Sequence, residues 1–416
     1  MNTVITPSKL CGEINAIPSK SHAHRALICA ALCQAGEKTV IDISSCGEDI
    51  DATISVLKAI GVEFTQCDGL LTVEPTKEYK NGGIINCRES GSTLRFMLPV
   101  LSALGVCGTV TGSGRLPDRP IGELLGQLTS HGASFSSPKL PTETSGLLSG
   151  GEFYFDGGVS SQYITGILLA SPVTGEECKI HINGVLQSKP YVDLTVKVMH
   201  DFGVDVYEDD GTYTVKKDSK YKSPGNYSVE GDYSNAAFWL CSGVGVGGLC
   251  EDSFQGDSKI IDILSSAGAT FRRENGVIYP DVSDLHGFEM NAENTPDIVP
   301  PLAVVAATAN GKTVIYGAER LRIKESDRLA TVYEMLKNLG ADITLTSDGF
   351  IINGKEQLSG GTVDSCNDHR IAMSAALASL KCRDKVIING ADAVNKSYRD
   401  FWGDFKKLGG AIDEIR

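Results

Sequence analysis

The sequence predicts an α/β protein built from six similar blocks, grouped three and three. Two recurring signals and their period predict it. A large apolar residue, three further residues and then glycine recur at Leu57…Gly61, Leu128…Gly132, Met199…Gly203, Leu264…Gly268, Leu336…Gly340 and Phe405…Gly409, with the glycines 71, 71, 65, 72 and 69 residues apart. Each glycine precedes a β-like stretch, such as Val62-Glu63-Phe64 or Ala269-Thr270-Phe271. Glycine is expected just past a helix end, where φ turns positive. Each block therefore carries a helix, a glycine stop and a strand.

A second, earlier helix is predicted in every block. The six starts fall near Ser21-His22-Ala23, Ser90-Gly91-Ser92, Ser160-Ser161-Gln162, Asp232-Tyr233-Ser234, Thr295-Pro296-Asp297 and Asn367-Asp368-His369. Each opens on Ser, Thr, Asp or Asn before an apolar run, an N-cap pattern. A period of ~70 residues is long for a solenoid, whose repeats run about 20–50 residues. Closed supersecondary blocks fit it better. The shortest spacing and the stretch Lys220–Tyr227 put a boundary near 225–230.

Composition narrows the function. With 416 residues the chain is long enough for about two or three domains. Thirty-eight Lys and Arg against 52 Asp and Glu leave a net charge of −14, which excludes sequence-blind nucleic-acid binding through a net basic surface. No segment approaches the roughly 20 apolar residues of a membrane helix. Met1-Asn2-Thr3-Val4 lacks the basic stretch and apolar core of a secretory signal. The 12 cysteines include no Cys-x-x-Cys pair, so reduced thiols and a cytoplasmic location are expected. Cys29 and Cys33 read as small buried hydrophobes. His22 and His24 lie two apart, do not share a helix face, and read as structural rather than metal ligands.

The cations of this acidic chain gather at the predicted helix starts. Lys20 and Ser21 open one helix, with Arg25 a turn further in. Arg119 stands before a proline read as helix-initiating. Arg320-Leu321-Arg322-Ile323-Lys324, if extended, places its three cations on one face. Asn367-Asp368-His369-Arg370 and Asn395-Lys396-Ser397 add more. Helix N-termini carry free N–H donors and partial positive charge, so helix mouths flanked by Lys and Arg suit small polyanions. Gly157-Gly158-Val159-Ser160-Ser161-Gln162 reads as a phosphate cradle. No Walker-type or convincing dinucleotide fingerprint occurs.

On these motifs the chain resembles the 5-enolpyruvylshikimate-3-phosphate synthase (3-phosphoshikimate 1-carboxyvinyltransferase) family. The resemblance runs in order through Ser19-Lys20-Ser21, Ser90-Gly91-Ser92-Thr93-Leu94-Arg95, Arg119-Pro120-Ile121-Gly122, Ser160-Ser161-Gln162, Ser188-Lys189-Pro190-Tyr191, Lys324-Glu325-Ser326-Asp327-Arg328, Asn367-Asp368-His369-Arg370 and Asn395-Lys396-Ser397. It implies a two-domain inside-out α/β barrel of six βαβαββ units. One domain would comprise residues 1–17 with 228–416 and the other 18–227, with the active site in the cleft between them. It implies transfer of the enolpyruvyl group of phosphoenolpyruvate to the 5-hydroxyl of shikimate 3-phosphate, by addition and elimination, with no cofactor or metal, in a monomer.

By the same resemblance, shikimate 3-phosphate is held by Lys20, Ser21, Arg25, Ser160, Ser161, Gln162, Ser188, Tyr191, Asp297 and Lys324. Phosphoenolpyruvate is held by Lys20, Gly91, Arg119, Gln162, Arg328, His369, Arg370 and Lys396. Asp297 is the base for the hydroxyl, Glu325 the acid at C3, and Lys20 a proton relay or a counter-charge for the leaving phosphate. Glyphosate is expected to inhibit, because Gly91 leaves its pocket unfilled. Two positions depart from the family's common pattern: Arg320 replaces a frequent asparagine, and Glu89 a neutral residue. Two other readings compete with this one. The UDP-N-acetylglucosamine enolpyruvyl transferases have Lys-Asn where this chain has Lys20-Ser21, and usually a cysteine in the loop where it has Gly112–Asp118. A non-catalytic anion-binding repeat protein would bind without turnover.

Overall fold

The computed structural model describes residues 1–43, 47–158 and 160–415. Its helices fall in pairs: α1 (Lys20–Ala31) and α2 (Glu48–Ala59), α3 (Gly91–Ala103) and α4 (Gly122–Ser130), α5 (Ser161–Thr174) and α6 (Lys189–Asp201), α7 (Tyr233–Ser242) and α8 (Ile260–Ser266), α9 (Val299–Ala306) and α10 (Arg328–Asn338), α11 (His369–Ser379) and α12 (Phe401–Lys407). The second helix of each pair stops at the expected glycine, whose φ lies between +80° and +104° in all six. At Gly132 close approach adds to the conformational demand, since a Cβ there would lie 2.6 Å from the Leu147 carbonyl oxygen.

Four of the six expected caps form as side-chain hydrogen bonds. Ser90, Ser160, Asp232 and Asp368 accept from the backbone N–H of Thr93, Gln162, Asn235 and Arg370. Thr295 does not cap; Pro296–Ile298 form a short 3-10 turn ahead of α9.

Each block has one parallel strand pair and two antiparallel pairs; in the second, third and fifth the parallel pair is joined through a helix and the last two strands form a hairpin. In the second block Gly83–Asn86 runs parallel to Gly108–Thr111, which pairs antiparallel with Thr142–Gly146, itself paired with Ala133–Phe135. Three strands come from distant sequence. Asn226–Ser228 pairs parallel with Thr39–Asp42 in the first block. Glu13–Asn15 pairs parallel with Gly245–Gly247 in the fourth. Asn2–Thr6 lies between Val386–Asn389 and Ala411–Ile415 in the sixth.

The six sheets described have four strands each and stay open. The edge strands account for this. Glu63–Cys67 and Thr270–Glu274 are exposed at four of five residues and present Glu63, Arg272, Arg273 and Glu274, edges that discourage a further strand. The first helix of each pair lies inside: α9 is buried along its whole length and α3 at all but one residue, as expected of helices that are not amphipathic but apolar on most sides.

The chain divides into two compact units, Lys20–Val229 and Met1–Ser19 with Glu230–Arg416. The crossings fall two residues beyond the 17/18 and 227/228 boundaries expected from the sequence. Asn226–Ser228 is tied to the first unit by its strand pairing, while Pro18 bridges Gly231 in the second. Each unit has its own core, one around Leu98 and Leu168, the other around Leu302 and Met373.

Cys29 and Cys33 are buried as expected, and burial pushes the Cys33 thiol up to about 12. The His22 ring bonds the Tyr227 hydroxyl and the His24 ring the Thr53 hydroxyl, each at 2.7 Å. Among the described residues no helix is long and apolar enough to cross a membrane. Leu168, fully buried in α5, tests the core of its unit. Leu168→Ala is expected to cost about 2–5 kcal/mol, read as a lower urea midpoint.

Candidate active site

In the Lys20–Val229 unit, polar side chains tie the helix mouths together. Lys20 Nζ pairs with Asp49 Oδ2, at the start of α2, at 2.9 Å. Gln162, at the start of α5, donates from Nε2 to Ser92 Oγ in α3 at 2.9 Å. Its Oε1 accepts from Arg95 Nη1 at 3.2 Å. Arg25 is buried and donates from Nη1 to the Ser21 carbonyl at 2.6 Å, from Nη2 to the Tyr191 carbonyl at 2.8 Å, and from Nε to Thr195 Oγ1 at 2.7 Å. It thus ties α1 to α6. Ser188 precedes α6 with φ +58°, an uncommon conformation for a residue with a Cβ.

Gly91 faces two guanidiniums: a Cβ would lie 2.5 Å from Arg119 Nη1 and 2.7 Å from Arg95 Nη1. Arg95 belongs to the Ser90–Arg95 motif, which by itself assigns it no role. Its place one helical turn after Gly91 on α3 is the signal that could have marked it. Arg119 does not precede a helix-initiating proline, because α4 begins at Gly122 with Ile121 as its N-cap. The Pro120 carbonyl instead accepts from Arg95 Nη2 and the Tyr163 hydroxyl.

The expected Gly157–Gln162 cradle is also revised. Val159 lies outside the described residues. A Cβ on Gly157 would meet the Val185 carbonyl oxygen at 2.5 Å, and the Gly158 N–H already bonds Asp156 Oδ1 at 2.7 Å. These glycines serve chain packing and a tight turn. Ser160 caps α5, while Ser161 is buried in its first turn.

In the other unit the cations interlock with carboxylates. Arg328 is 1% exposed. It donates to Asp297 Oδ1 at 2.8 Å, Glu325 Oε2 at 2.5 Å and Asp368 Oδ2 at 2.8 Å. Arg370 reaches the Asp297 carboxylate at 3.2 Å and its carbonyl at 3.0 Å. Lys324 Nζ lies 3.9 Å from Asp297. Lys396 Nζ donates to the Asn367 carbonyl at 2.6 Å, and His369 is buried at the first position of α11. Ser326 Oγ donates to Asp368 Oδ2 at 2.9 Å. Sequence reading saw Asp368 only as a helix start.

Burial alone would raise the Asp297 carboxyl, but Arg370, Lys324 and Arg328 outweigh it and hold the group well below the ordinary carboxylate range. Burial lowers Lys324 to about 8, helped by Arg328 and Arg320 and opposed by Asp297 and Glu325. Burial would lower Arg328 too, yet Asp368, Glu325 and Asp297 outweigh it and raise its proton affinity.

The strand expected over Arg320–Lys324 is a 3-10 helix, Glu319–Ile323. The segment must turn to reach the Asp327 cap of α10. Leu321 is therefore fully buried while Ile323 is 47% exposed, and the three cations do not share a face. Arg322 turns to Asp327 and the Ser347 carbonyl. The Glu89 carboxylate lies against Gly114, whose Cβ would sit 2.5 Å from Glu89 Cδ.

Six βαβαββ-type blocks, with cations and hydroxyls gathered at the helix mouths of both units, define a class of protein that handles small, multiply charged anions. The comparisons agree. The family model for EPSP synthase (3-phosphoshikimate 1-carboxyvinyltransferase) matches residues 4–405. The chain is 42% identical to the 3-phosphoshikimate 1-carboxyvinyltransferase of Clostridium novyi (strain NT), over 99% of this chain and 98% of that one. It is 41% identical to that of Clostridium kluyveri, with the same coverage. A solved EPSP synthase from Acinetobacter baumannii superposes with a TM-score of 0.83 at 26% identity, covering both chains fully. The chain belongs to the EPSP synthase family.

Removing Asp368 tests the buried charge network. Asp368→Ala would strand Arg328 with one fewer partner, and a loss of about 3–5 kcal/mol is expected, measured by urea unfolding against the parent.

Proposed function

We propose that the chain transfers the enolpyruvyl group of phosphoenolpyruvate to the 5-hydroxyl of shikimate 3-phosphate, releasing phosphate. Family membership supports the reaction, and one observation supports the roles most: a single guanidinium, Arg328, holds both Asp297 and Glu325. Two carboxyl groups held together in different environments suit a proton shuttle.

Asp297 would take the 5-hydroxyl proton as that oxygen bonds to C2, while Glu325 delivers a proton to C3. The tetrahedral adduct would then return a proton from C3 to the Glu325 carboxylate as its C2–O bond to phosphate breaks and phosphate leaves with that electron pair. Lys20 would offset the charge of the departing phosphate. Ser21, Arg25, Ser160, Ser161, Gln162, Ser188, Tyr191 and Lys324 would hold shikimate 3-phosphate. Gly91, Arg119, Gln162, Arg328, His369, Arg370 and Lys396 would hold phosphoenolpyruvate. Each substrate carries a phosphate and a carboxylate, so arginines and lysines are needed against mutual repulsion. We read the chain as a cytoplasmic monomer acting on free small molecules; every described cysteine is free, which supports a reducing compartment.

Phosphate release, assayed with each substrate omitted in turn, should require both. Asp297→Asn and Glu325→Gln should each lower kcat by about 10²–10⁴-fold; unchanged rates would refute the assignment. Lys324 loses its charge as pH rises through about 8. Accordingly kcat/KM, which reports the free enzyme, should fall above that pH in the parent. Lys324→Arg should lack this limb, whatever its overall rate.

A further inference from the structure

Asn235 is an amide in a helix that has little local use for one. All of α7 but its last residue is buried, and Asn is a poorer helix former than Ala. The cap of α7 needs only the Asn235 backbone N–H, which donates to Asp232 Oδ1 at 2.7 Å. The side chain turns elsewhere. Its Oδ1 accepts from the Ser397 hydroxyl at 3.0 Å, across 162 residues of sequence, and both residues are buried. One turn further along α7, Trp239 stacks on Phe401 with ring centroids 5.1 Å apart and meets Tyr398 edge-on. Residues four apart share a helix face. Asn235 and Trp239 therefore give the same segment, Ser397–Phe401, one polar and one aromatic contact.

We infer that Asn235 is a positioning residue for phosphoenolpyruvate: through the Ser397 hydroxyl it fixes the backbone from which Lys396 extends. The inference rests on the role proposed above for Lys396. Ser397 follows the 3-10 turn Ala391–Lys396, and its N–H bonds the Val394 carbonyl at 3.1 Å. Lys396 is buried and its Nζ reaches the Asn367 carbonyl at 2.6 Å, beside His369 and Arg370 in sequence. Apolar contact with Trp239 holds the segment against α7 but is non-directional. The hydrogen bond adds a fixed distance and angle at the residue next to the lysine. Contacts to a small anion are short and directional, so a shift of a fraction of an ångström in the supporting backbone weakens them.

The test is a split of Michaelis constants in the phosphate-release assay. Asn235→Ala and Ser397→Ala should each raise KM for phosphoenolpyruvate by about 5–10-fold, the size of one neutral hydrogen bond. KM for shikimate 3-phosphate should keep the parent value. Ser397→Ala removes a single oxygen and keeps the test available should Asn235→Ala fail to fold. The double variant should be no worse than either single one, because both remove the same bond. A residue that only stabilised the fold would lower the amount of active enzyme, and so the apparent kcat, while leaving both KM values alone. An unchanged KM for phosphoenolpyruvate, an equal rise for both substrates, or additive losses in the double variant overturns the inference. Lys396→Met is measured alongside. If it raises KM for phosphoenolpyruvate while Asn235→Ala and Ser397→Ala do not, the role of Lys396 stands and the inference falls. If it leaves that KM unchanged, Lys396 does not hold phosphoenolpyruvate, and the proposed role itself has failed.

Discussion

Arg328 is the interaction on which the site depends. Its side chain is 1% exposed, yet it carries a full charge and three carboxylates. An isolated guanidinium at that depth would be far too costly to bury. Asp368, itself fully buried and fixed as the cap of α11, offsets most of that cost. Asp297 and Glu325 complete the shell and are thereby drawn to one point from the start of α9 and the loop before α10. The position of both acids is thus a consequence of satisfying one buried cation.

The two units solve the anion problem differently. The Lys20–Val229 unit combines neutral donors, such as Gln162 bonded to Ser92, with guanidiniums held mainly by carbonyl, hydroxyl and amide oxygens, and pairs only Lys20 among its proposed site cations with a carboxylate, that of Asp49. The other unit stores its cations against carboxylates. Hydroxyl and amide donors lose little when no ligand is present, because they satisfy one another or water. Clustered cations repel, and need internal counter-charges to stay together.

Much of this was legible in the sequence because it follows from local rules. The six glycine stops and four of the six caps depend on a few neighbouring residues, and each reappears with the expected φ or hydrogen bond. Other features depend on residues far apart. Nothing near Asn2–Thr6 or Asn226–Ser228 says which sheet each strand completes. Alternating cations over Arg320–Lys324 look like one face of a strand, but the cap at Asp327 forces a turn that periodicity does not register. Gly157 looked like a ligand contact because a glycine serving close chain packing has the same sequence signature. Arg95 and Asp368 lay in plain view, but their chemistry comes from partners 25 to 67 residues away.

The pairing in the Arg328 site also bears on how binding is coupled to chemistry. Asp297 is held ionised by cations that an arriving phosphate or carboxylate would contest. Each guanidinium that turns part of its charge toward a substrate gives less to Asp297, so its proton affinity rises as the site fills. Lys324 responds in the opposite sense, since anions nearby favour its charged form against the burial that lowers it. On the roles proposed above, binding would strengthen the base and secure the ammonium in one step, and the base would be weakest when no substrate is present. Differential stabilisation of this kind favours the transition state over the resting enzyme, and it arises from carboxylates whose first task is to let an arginine be buried.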